Sequence, residues 1–153
     1  MAAKKPTIID FVEKYTKKFA DNTYLREKQN GVWVETTFKQ TRDEGRILAA
    51  GFMALGLQKG ERVSLLAEAR NLWVMTELGI LYAGGVNVPL SYKLESDKDL
   101  SFRVNHSDSV YTKTTSSASA KIRRLPSSAT ASTFAPRALT SLMLDIILSN
   151  SAS

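Results

Sequence analysis

The 153-residue chain has no cysteine and a single histidine, His106. Without cysteine there can be no disulfide, thiolate nucleophile or cysteine-ligated zinc, and a reducing interior suits the chain. One histidine with no cysteine beside it gives neither a metal set nor a Ser–His–Asp arrangement; a surface or helix-end position is expected for it. No run of about 18 apolar residues exists, so no membrane-spanning helix is expected. The N-terminus MAAKKPTIIDF carries two lysines, but Asp10 and Glu13 interrupt any apolar core behind them, so no signal peptide is expected.

The net charge is +6, but it is unevenly spread. Residues 1–111 hold 16 Lys/Arg against 14 Asp/Glu, a net of +2, while residues 112–153 hold five against one, a net of +4. A basic balance concentrated in one odd segment is weak support for nucleic-acid binding, which is not expected.

Up to Tyr111 the chain is well punctuated. Thr7, with Asp10 three residues on, opens a helix whose apolar stripe is Ile8, Phe11, Val12, Tyr15 and Phe19. Glu13 and Lys17 read as an exposed helical pair. TYLREK and VWVETT flank Asn30-Gly31, a strong hairpin signal because both turn residues must accept positive φ. Trp33 on this hairpin is expected to pack over the next helix. Thr37 and Gln40 form a second capping box. The helix behind it puts Leu48, Gly51, Phe52 and Leu55 on one face and ends at Gly56.

Lys59 to Arg62 form a solvated turn into the strand RVSLLA. Asn71 is expected to cap an almost wholly apolar, buried helix, with Trp73 as a core aromatic, and Gly84-Gly85 release it into VNVPL. Ser96, with Asp99, opens a short helix toward His106, and Val110 and Tyr111 begin another strand. Strand, helix, strand, helix, strand from Arg62 onward predicts an α/β fold: a βαβαβ-type parallel sheet, with the hairpin outside it.

Residues 112–153 contain no Gly, Trp, Tyr, His, Glu or Gln and are rich in Ser, Thr and Ala. Two readings stand side by side. One is a disordered tail or linker, since such composition buries too little to offset ordering entropy. The other is a frame-shifted segment that replaces a buried strand near Thr112. The apolar run Leu139 to Leu148 is too short to span a bilayer; it suits docking on a partner, or is an aggregation liability.

The segments TTFKQ (Thr36–Gln40), ALGLQKGERVSLL (Ala54–Leu66) and LYAGGVNVPLS (Leu81–Ser91) resemble, in order and spacing, the N-terminal region of AMP-forming acyl-CoA synthetases of the adenylate-forming superfamily. Glu68 to Trp73 and Val86 to Leu90 look closest to the long-chain fatty-acid branch. The resemblance covers about Thr7 to Tyr111. It implies a partial N-terminal subdomain over residues 1–111, followed by a Ser/Thr/Ala-rich tail at 112–153.

It also implies a reaction: a carboxylate attacks the α-phosphate of ATP, and the thiol of CoA then displaces AMP. Phosphoryl chemistry of this kind needs backbone N–H groups, Lys or Arg, and Mg²⁺ around the phosphates. The family's Ser/Thr/Gly-rich loop with its lysine, its Thr-Glu pair, its ribose-binding Asp and its C-terminal catalytic Lys are not found in these residues. The nearest look-alike, Lys113-Thr114-Thr115-Ser116-Ser117, lacks glycine, and Gly84-Gly85 ends a helix where a nucleotide fingerprint would open one. No catalytic, cofactor-binding or metal residue is therefore assigned.

The expected function is that of a truncated, cytoplasmic or peripherally membrane-associated piece of a fatty-acid–CoA ligase, inactive on its own. ATP, Mg²⁺, CoA and fatty acid belong to the intact relative. The alternatives are an interaction module that self-associates through an open sheet edge, or a basic-tail nucleic-acid binder. Coding DNA separates the two readings of the tail. A frame shift predicts that another frame beyond codon 111 encodes a family-like continuation; three frames without one would contradict it.

Overall fold

The computed structural model describes residues 5–68, 70–91, 93, 97–116 and 119–124. Ser96, Ser117 and the Leu139–Leu148 run lie outside them. The elements follow the sequence punctuation. Helix α1 spans Ile8–Phe19, and Thr7 and Asp10 cap it reciprocally: the Asp10 N–H donates to Thr7 Oγ1 at 3.2 Å and the Thr7 N–H to Asp10 Oδ2 at 2.7 Å. Strands β1 (Thr23–Gln29) and β2 (Val32–Thr37) form an antiparallel hairpin. Its turn holds Asn30 at φ 49° and Gly31 at φ 86°, both in the left-handed region that an Asn-Gly turn demands. Helix α2 (Phe38–Ala54) starts on the second box, with Gln40 N–H to Thr37 Oγ1 at 3.1 Å and Thr37 N–H to Gln40 Oε1 at 2.9 Å.

A second sheet follows: β3 (Arg62–Ala67), α3 (Asn71–Tyr82), β4 (Val86–Leu90), α4 (Asp97–His106), β5 (Ser109–Ser116) and β6 (Ser119–Arg124). Its order is β4-β3-β5-β6. β3 pairs in parallel with both β4 and β5, so Val63 sits between Asn87 and Tyr111, and β6 runs antiparallel to β5. The fold is thus α/β with a separate hairpin and a three-strand parallel sheet, as the sequence implies. The change in composition at Thr112 falls inside β5, which runs on to Ser116. The edge of β5 expected to be open is occupied by β6. Thr112, Thr114, Thr115 and Ile122 are β-branched, which suits strands even where low complexity suggests none.

Phe52, Leu57, Val63, Ile80 and Tyr111 form the core. They bring α2, the turn after it, β3, α3 and β5 together, and the Tyr111 hydroxyl donates to the Leu55 carbonyl at the end of α2. Helices α2 and α3 meet through glycine. A Cβ on Gly79 would lie 2.7 Å from Leu48 Cβ and 3.3 Å from the Gly45 carbonyl; one on Gly45 would lie 3.0 Å from Leu78 Cβ.

Several expectations about burial are corrected. The buried residues of α2 are Thr41, Gly45, Ala49 and Phe52, while Leu48 and Gly51 are half-buried and Leu55 is exposed. The stripe is rotated because glycine lets α3 approach on the Gly45 side. Trp33 is 62% exposed, since it pairs with Lys28 on the outer face of the hairpin. Trp73 is half-buried and Leu72 exposed, so the first turn of α3 is only partly covered.

Alanine would raise the helix propensity of position 79 by about 1 kcal/mol. The 2.7 Å contact involves a Cβ, which cannot swing aside, so strain wins. Gly79→Ala is expected to destabilise the chain by about 1–2 kcal/mol, read as a lower urea midpoint at unchanged slope. An unchanged or raised midpoint would contradict the close α2–α3 contact.

Candidate functional site

The N-terminus of α3 is the first place to look for an anion site, because free N–H groups and the helix dipole gather there. It is already filled from within the chain. The Asn71 N–H donates to Glu27 Oε2 at 2.6 Å, and Asn71 Nδ2 donates to Thr36 Oγ1 at 3.1 Å. Asn71 is the first helical residue; the cap position is Arg70, whose side chain makes no capping bond. The cap expected from Asn71 is supplied by a carboxylate on β1. Alternation along the hairpin puts Glu27 on the face toward α3 and leaves Arg26 on the other face, paired with Glu35. Thr23 and Arg26 both donate to Glu35 and hold its carboxyl below the usual range.

A second polar cluster joins α1, α2 and α3. The Tyr82 hydroxyl donates to Glu13 Oε1 at 2.7 Å; Arg46 Nε lies 3.8 Å from the same oxygen, and Arg42 lies 4.0 Å from Glu13 Oε2. Arg42 also binds Asp43 at 2.6 Å, which Lys39 reaches at 2.7 Å. Glu13 is thus the hub of a clasp, where an exposed pair with Lys17 was expected. Burial, then the Glu13 carboxylate beside it, push the Tyr82 phenol well above the ordinary tyrosine range. The Asp43 bond raises the Arg42 guanidinium, and Lys39, then Arg42, lower the Asp43 carboxyl. Every charge here has a partner, so the clasp holds α1 down and leaves no base poised for a substrate.

The remaining candidates are equally quiet. Lys113 to Ser116 lie in β5, whose backbone pairs with β3 on one side and β6 on the other. Its N–H groups are committed to ladders and cannot cradle phosphate. Gly84 takes φ 81° and its N–H closes α3 on the Leu81 carbonyl at 3.0 Å; a Cβ on Gly85 would lie 3.1 Å from Ile80 and Leu57. The glycine pair therefore serves helix termination and packing. His106 ends α4, exposed, with its ring on Phe102 at 5.4 Å. Among the described residues no three His, Cys, Asp or Glu side chains come together to hold a metal, and no helix is long and apolar enough to cross a membrane.

The AMP-binding enzyme family model matches residues 12–144. The chain belongs to this family. It is 32% identical over 82 residues to the long-chain-fatty-acid–CoA ligase ACSBG2 of Xenopus laevis, covering 54% of this chain and 11% of the relative. It is 29% identical over 101 residues to 4-hydroxybutyrate–CoA ligase 2 of Metallosphaera sedula, covering 66% of this chain and 18% of that one. In fold it is similar to the fatty acid AMP ligase from Legionella pneumophila, with TM-score 0.63 at 24% identity over 69% of this chain and 19% of that one. The N-terminal subdomain of NpsA from Klebsiella oxytoca gives TM-score 0.65 at 19% identity, over 73% and 28%. The chain spans less than a fifth of the length of these curated relatives.

The hairpin-to-helix lock and the three-helix clasp were not legible in the sequence. Glu27 and Asn71 are 44 residues apart, Glu13 and Tyr82 69. The clasp makes an alkaline prediction. A phenol whose pKa is raised by folding contributes stability that is complete below its unfolded value, near 10, and is lost as pH rises above it. Unfolding free energy should therefore fall above about pH 10, and fall less steeply in Tyr82→Phe. Equal slopes in the two proteins would contradict the clasp.

Proposed function

We propose that this chain is N-terminal scaffold of an ATP-dependent long-chain fatty-acid–CoA ligase and forms no acyl-adenylate by itself. The observation that carries the second half is β5. The one Ser/Thr/Lys run that resembles a phosphate loop is held as paired strand over Lys113–Ser116. The described residues do not fit a nucleotide or Mg²⁺: the free end of α3 is plugged by Glu27, and no carboxylate cluster stands elsewhere. No catalytic step is routed through them.

Support for the ligase reading comes from the family match and from relatives named as long-chain-fatty-acid–CoA ligases in frog and in Mycobacterium tuberculosis. On this reading fatty acid, ATP and CoA are substrates of the whole enzyme, with Mg²⁺ as its metal. The chain works in the cytoplasm or at a membrane surface, and the family subdomain expected to stop at Tyr111 runs on at least through β6 to Arg124. The scaffold's own part is mechanical: α2 and α3 cover the parallel sheet, and α1 and the hairpin lock onto them.

Fatty-acid-dependent exchange of pyrophosphate into ATP tests the proposal. The purified 153-residue chain is expected to give no exchange above background. Exchange that requires both fatty acid and Mg²⁺ would overturn it.

A further inference from the structure

Among the described residues β4 has a neighbour on one side only, β3, so its other side is an edge of the sheet. Such an edge is a template for another chain unless something blunts it. Most of the usual safeguards are missing here. No charged residue stands between Glu77 and Lys93, so β4 carries neither lysine nor carboxylate. Its register with β3 is unbroken from Arg62↔Val86 to Leu66↔Leu90, so no bulge twists the edge away. At five residues it is of ordinary strand length. Val86 and Val88 favour the extended chain, and Val86 is 44% exposed. What remains is Pro89, exposed and opposite Leu65.

The ladder fixes which way that proline points. The Val86 N–H donates to the Glu61 carbonyl at 2.8 Å, so the backbone groups of Val86 face β3. Along a parallel strand, every second residue turns its N–H and C=O to the same neighbour. Val88 and Leu90 therefore face β3 as well, while Asn87 and Pro89 face the free edge. That edge offers the carbonyls of Asn87 and Pro89 but only the N–H of Asn87. At position 89 the pyrrolidine ring replaces the donor, and its Cδ stands where an incoming carbonyl would approach. A proline at Val88 or Leu90 would remove a bond to β3. At 89 it leaves the internal ladder whole and interrupts only the outer one.

We propose that Pro89 closes the β4 edge to strand addition by a second copy of this chain. The proposal does not depend on the ligase reading. Two substitutions in the full 153-residue protein test it. Pro89→Ala returns the N–H with a smaller side chain, and Pro89→Val returns it with a β-branched one. Both are expected to lower, by about tenfold, the concentration at which half of the protein sediments as dimer or larger, because each restored donor can complete a ladder bond. Unchanged association in both variants would overturn the proposal. So would association in Pro89→Val alone, which would assign the effect to the side chain and not to the N–H. Hydrogen exchange on the unsubstituted chain decides the matter if the variants do not fold. The Asn87 amide should exchange at one rate whatever the protein concentration. Protection of Asn87 that grows with concentration would show a strand added at this edge and contradict the proposal.

Discussion

Helices α2 and α3 can lie as close as they do because Gly45 and Gly79 present no side chain to the contact. That approach sets the depth at which both helices rest on the sheet. It lets Phe52 and Ile80 meet Val63 and Tyr111 in one core. It also fixes where the neighbours can attach. Tyr82, one turn beyond Gly79 on α3, reaches Glu13 on α1, and Arg42, one turn before Gly45 on α2, faces the same carboxylate. At the other end of α3, Asn71 receives Glu27 from the hairpin. The layered arrangement is therefore two helices on a parallel sheet, with α1 and the hairpin held by polar locks at opposite ends of α3.

Local signals were the readable part of this fold. Thr7/Asp10, Thr37/Gln40, Asn30-Gly31, Gly56 and Gly84 each act within a few residues, and each stands where the sequence puts it. What escaped depends on distant partners. Asn71 looked like its own cap because a short polar residue before an apolar run usually is one; the actual partner lies on a strand 44 residues earlier. Trp33 was expected to pack over the next helix, and it is exposed on the outer face of the hairpin. Composition misled at Thr112, where a Ser/Thr-rich run continues β5 in register with β3 from Val63↔Tyr111 to Ala67↔Thr115.

For function the same contrast holds. The segments that resemble the family are scaffold segments: a capping box, a turn into β3 and the glycine-ended joint from α3 to β4. They identify an AMP-binding enzyme through packing requirements. The places where an α/β fold could hold an anion are used structurally here, by Glu27 at α3 and by strand pairing along β5. The described part of this chain thus shows its family membership in residues that cap, turn and pack.

The proposed scaffold binds no nucleotide among its described residues. Direct binding tests it most simply: isothermal titration of the folded chain with a stable acyl-adenylate analogue, in which a sulfamate replaces the phosphoryl linkage. No saturable heat is expected. Saturable one-to-one binding, competed by ATP, would contradict it.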